Sequence, residues 1–77
     1  MSITLEEFKA KIDAFEARIA ALETLKASAW TTASANVSPD LLSDNFKDEI
    51  QRPYESEIGQ LRYKVNVAKI DFATSQL

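Results

Sequence analysis

Large apolar residues recur at the start of the chain as Leu5, Phe8, Ile12, Phe15, Ile19 and Leu22, with gaps that alternate between three and four. That spacing is a heptad seam, and it predicts a helix that packs lengthwise on another helix. Its start is marked several times over. Thr4 is a suitable N-cap, and Glu7 three residues later completes a capping box. Ile3 and Phe8 occupy the two positions of a hydrophobic staple. Glu6 and Glu7 suit the positive end of the helix dipole, and Glu7 with Lys11 forms a favourable i,i+4 pair.

After Leu22 the seam positions fall on Lys26 and Ala29, and residues 27–35 are small side chains around a single tryptophan, Trp30. Small residues admit a close helix, and Trp30 is expected to fill the space beside the turn as a core or interface residue. A ligand-stacking role would call for accompanying polar groups, which the neighbouring sequence lacks. Asn36 is placed to take a left-handed C′ conformation. Ser38 then reads as an N-cap, with Pro39 at the first helical position and Asp40 next to it. The expected layout is helix one over 4–35, a turn at 36–38 and helix two over 39–76, in one domain spanning 1–77. So short a turn makes the helices antiparallel neighbours. Leu41, Leu42, Phe46 and Ile50 are expected to meet the small residues of helix one. Pro53 removes a backbone hydrogen bond within helix two, so an interruption or kink is expected near 52–53.

The second helix carries two apolar faces. At about 100° per residue, Ile58, Leu61, Val65, Ala68 and Phe72 share one face, while Tyr63, Val67 and Ile70 share the opposite one. A helix that is apolar on two sides is normally buried between neighbours. A two-helix hairpin covers only one of them. The predicted fold is therefore all-α: an antiparallel, coiled-coil-like hairpin completed into a bundle by oligomerisation. Tyr63, Val67 and Ile70, with Trp30, are the candidate protein-interface residues.

Composition narrows the options. A 77-residue chain has a core that typically supplies only about 3–5 kcal/mol, and small domains add disulfides, metals or self-association. Cysteine and histidine are both absent, which removes disulfides, thiolate sites and the commonest metal ligand and general base. The net charge of −3 disfavours binding to nucleic acid or to anionic membranes. No apolar run approaches the roughly 20 residues of a membrane span. The opening residues, Met1-Ser2-Ile3-Thr4-Leu5-Glu6-Glu7, lack the basic-then-apolar order of a secretory signal. The expected location is the cytoplasm or the inside of an assembled particle such as a virion.

Catalytic chemistry has little to build on. Glu6/Glu7, Asp13/Glu16, Asp44/Asp48/Glu49 and Glu55/Glu57 read as solvated helix faces. Asp40, Asp44 and Asp48 recur every four residues, but a calcium loop needs alternate ligands and a turn glycine. The single glycine, Gly59, cannot make a phosphate-cradling loop. No catalytic, metal-binding or cofactor-binding residue is predicted, and the chain is read as a non-enzyme.

The segment Ser38-Pro39-Asp40-Leu41-Leu42, with the long amphipathic helix that ends near Lys69-Ile70-Asp71, resembles the needle subunits of type III secretion systems. These are helical hairpins of similar length that stack into tubes. The resemblance covers about half the chain. Pro53 and the long first heptad depart from it, so it implies a self-assembling class and no residue roles. The expected function is structural: a small self-assembling or cementing subunit of a larger particle, such as a phage virion or secretion apparatus. The alternative is a small binding protein, either a chaperone or an inhibitor such as a phage-encoded anti-defence protein, that docks one helix face on a target. The expected partner is another copy or another protein, without nucleic acid or membrane.

Overall fold

A computed structural model describes residues 3–77; Met1 and Ser2, the first two residues of the segment read for a secretory signal, lie outside it. Two long helices, α1 (Leu5–Asn36) and α2 (Asp44–Ser75), pack against each other in an all-α hairpin. A 3-10 turn at Pro39–Leu41 lies between them. The Cα extents are 57 × 18 × 11 Å. The molecule is therefore a ribbon two helices wide and one helix thick.

α1 begins where its capping residues predict. The Thr4 side chain accepts a hydrogen bond from the Glu7 backbone N–H at 3.1 Å, and the Phe8 N–H bonds the Thr4 carbonyl at 3.0 Å. Ile3 and Phe8 line one cleft, as a staple requires. Among the described residues Glu7 and Lys11 form no ion pair; the longer-range pairs instead cross between the helices. At the other end Asn36 remains helical, and none of the described residues has positive φ. Its side chain donates to the Thr32 carbonyl at 2.7 Å. That bond folds the Asn36 side chain back onto the last turn of the helix, and the expected left-handed conformation is not adopted.

Helix two starts at Asp44, five residues later than expected. Ser38 makes no side-chain cap; it only opens the 3-10 turn, in which the Leu41 N–H bonds the Ser38 carbonyl at 2.9 Å. The cap is Ser43, which accepts from the Phe46 N–H at 3.1 Å. The connection thus spans Val37 to Ser43. Seven residues let the chain cross the end of α1 and return alongside it. Leu41 and Leu42 belong to this connection and stay exposed. Phe46 and Ile50 alone of the expected four are half-buried. Ser43→Ala is expected to cost about 1 kcal/mol, visible as a lowered thermal midpoint in circular dichroism, whereas Ser38→Ala leaves the midpoint nearly unchanged.

α2 runs unbroken through Pro53, so of the kink or break expected there the break does not occur. Pro53 lacks only the N–H that would reach the Glu49 carbonyl. It sits on the exposed side of the helix, where water can bond that carbonyl. The turn before it is bridged by an Arg52–Asp48 ion pair. The Asp48 hydrogen bond raises the Arg52 pKa above its ordinary value, so this guanidinium stays charged.

The core is one line of contacts along the hairpin. Ile19 and Leu22 of α1 meet Ile58 and Val65 of α2, with Ile12, Phe15, Tyr54 and Leu61 packed around them. Beyond this cluster on one side Phe8 meets Phe72 edge-on, with ring centroids 4.4 Å apart. On the other, Trp30 and Phe46 are 6.1 Å apart. Leu5, the first seam residue, is 55% exposed and contributes little. The inner face expected for α2 is the face that packs: Ile58, Val65 and Ala68 are buried, and Leu61 and Phe72 half-buried.

Candidate functional site

The two broad faces of the ribbon are polar and laced with ion pairs. Arg18 reaches Glu57 at 3.2 Å on one side. Arg62 reaches Glu23 at 3.2 Å on the other, and Lys26 lies 3.4 Å from Glu23 and 3.6 Å from Glu55. All are solvated pairs, each worth at most about 1 kcal/mol.

The outer edge of α2 is different. Tyr63 is 69% exposed and Ile70 61%, with half-buried Val67 between them. They stand on the side of α2 turned away from its core face. Trp30 is not with them. It lies near the connection, half-buried against Phe46, with the Lys47 ammonium 5.6 Å from its ring centroid. That places it as a filler within the hairpin and apart from the Tyr63 stripe.

No protein-family model matches this chain, nor does any curated protein or solved structure. The molecule's own surfaces carry the functional argument.

The outer edge of α1 holds a pattern that the search for large side chains missed. Ala10, Ala14, Ala17 and Ala21, continued by Thr24 and Ser28, are spaced four, three, four, three and four, and all are exposed. This second heptad lies opposite the first. It was legible only to a count of small residues at heptad spacing.

Small-molecule chemistry finds no comparable arrangement. Among the described residues no group of three or more Asp, Glu, His or Cys side chains could hold a metal ion. The groove beside Pro53 is lined by Leu25, Ala29, Ala33, Ile50 and Tyr54, with Ser28 and Thr32 as its polar members, and no carboxylate or amine lines it. No described helix is long and apolar enough to cross a membrane.

Proposed function

We propose that this chain is a non-enzymatic assembly protein that acts through helix–helix contacts, as a small subunit of a larger particle. The observation that carries this reading is the Tyr63/Val67/Ile70 face. It lies opposite the core face on a ribbon 11 Å thick, so the hairpin has nothing of its own to cover it. Large apolar side chains grouped on one exposed stripe mark an interaction surface. Self-association also supplies burial that a core of five buried residues lacks.

The test is light scattering behind size-exclusion chromatography over a wide concentration range. The parent chain is expected to run as a dimer or larger species. Val67→Asp combined with Ile70→Asp is expected to shift it to monomer while the helical circular dichroism is retained. A parent that stays monomeric throughout overturns the self-assembly reading and leaves the face to a different protein, as in a chaperone or inhibitor.

A further inference from the structure

We infer that the partner of the α2 outer face is the α1 outer face of a second copy, so that hairpins stack edge to edge in an open or ring-closing series. This rests on the self-assembly reading above and specifies its geometry. Phe8 of α1 packs against Phe72 of α2, and because the helices are antiparallel, each step forward along α1 is level with a step back along α2. In that register Ala10 is level with Ile70, Ala17 with Tyr63 and Ala21 with Gly59, while Ala14 is adjacent to the level of Val67. A second ribbon laid alongside at the same height presents its α1 edge to the α2 edge of the first. Each large outer residue of α2 then faces an alanine. Large side chains seated over small ones are what close helix packing requires.

Gly59 fits the same arrangement. It is the only glycine in the chain, it sits mid-helix without positive φ, and an added Cβ would meet nothing within 4 Å. Inside the hairpin it therefore has no role, although glycine there costs about 1 kcal/mol relative to alanine. Level with Ala21 of the neighbour, it permits backbones to approach.

The flanking charges are mixed, and the favourable pair among them is Asp71 with Lys11. On the broad face that carries the Glu23–Arg62 pair, Arg62 and Lys69 border the α2 stripe, and Glu6, Asp13 and Glu16, with one lysine, Lys9, border the α1 stripe. Lys69 comes level with Lys11, two residues from both Lys9 and Asp13, and Arg62, which Glu23 of its own chain already holds, lies two residues from the level of Glu16. On the other face Asp71 comes within two residues of the level of Lys11. Lys64 there approaches Arg18, which Glu57 already neutralises. The two edges are different surfaces, so the contact is heterologous and each copy retains one free α2 edge and one free α1 edge.

Blocking each edge separately tests this. Ala14→Trp with Ala17→Trp fills the α1 stripe at positions exposed in the hairpin. Val67→Asp with Ile70→Asp disables the α2 stripe. Each double variant alone is expected to be a folded monomer by light scattering and circular dichroism. Mixed in equal amounts they are expected to form a single dimer that does not grow, because each supplies the edge the other has lost. If the tryptophan variant associates like the parent while the aspartate variant does not, the α2 face pairs with itself and the edge-to-edge inference fails, though the α2 face remains the interface. Failure of the mixture to form a dimer also overturns it. A measurement independent of the tryptophans is charge exchange: Asp71→Lys is expected to weaken association about tenfold at low salt, with recovery on adding Lys11→Glu. Lack of recovery counts against the register.

Discussion

Leu22→Ala is expected to leave the isolated hairpin largely unfolded. Leu22 is 2% exposed and is the most deeply buried large side chain among the described residues. It sits in the central cluster with Ile19, Ile58 and Val65. Truncating a buried leucine removes about 2–5 kcal/mol, because the apolar contacts are lost and the cavity closes only in part. A single core in a chain this size supplies about 3–5 kcal/mol, so the substitution removes most of the margin. Leu5→Ala is the internal control. It is the same chemical change on the same seam, but at a residue 55% exposed, and its expected effect is within about 0.5 kcal/mol. Urea titrations of both variants, at concentrations where the parent is monomeric, decide the matter. Equal midpoints would mean that the central cluster does not hold the hairpin together.

Pro53→Ala is expected to act in the opposite direction. A proline inside a helix costs about 3 kcal/mol relative to alanine, through the missing N–H and the clash with the preceding carbonyl. Proline recovers part of this, about 0.4–1 kcal/mol, by restricting the unfolded chain. The net expectation is a gain of about 2 kcal/mol and a thermal midpoint raised by about 10 °C. Pro53 is exposed and its side chain fills no buried position, so nothing in the packing opposes the gain. A lowered midpoint would show that the local geometry at Pro53 is needed to bring Tyr54 and Ile58 onto α1.

These two residues also show where the sequence was legible. The Leu22 seam could be read because heptad spacing has one meaning for a helix: those positions face a partner. The same rule found the inner face of α2, and the capping residues marked the start of α1 at Thr4. Boundaries set by competing local signals were harder. Ser38-Pro39 and Ser43-Asp44 are both acceptable helix starts. The choice between them depends on how much chain is needed to cross the end of α1, which is a tertiary quantity. A break or kink is expected at Pro53 because its local cost is large, yet the contacts of Tyr54 and Ile58 on the core carry the helix across it without a break. The α1 outer edge escaped notice for another reason. Alanine is common in any helix, and its alignment matters only once Tyr63 and Ile70 are seen exposed on the opposite edge.

The antiparallel pairing puts Thr4 and Leu77 at the same end of the ribbon. A load pulling these two points apart would meet the inter-helix contacts one at a time, beginning with Phe8 against Phe72 and moving towards Leu22 and Ile58. The hairpin would yield as a zip, at low force. A load applied along the helix axes between the Phe8 end and the connection would strain all the contacts together. Mechanically, this subunit is strong along its length and weak at its open end.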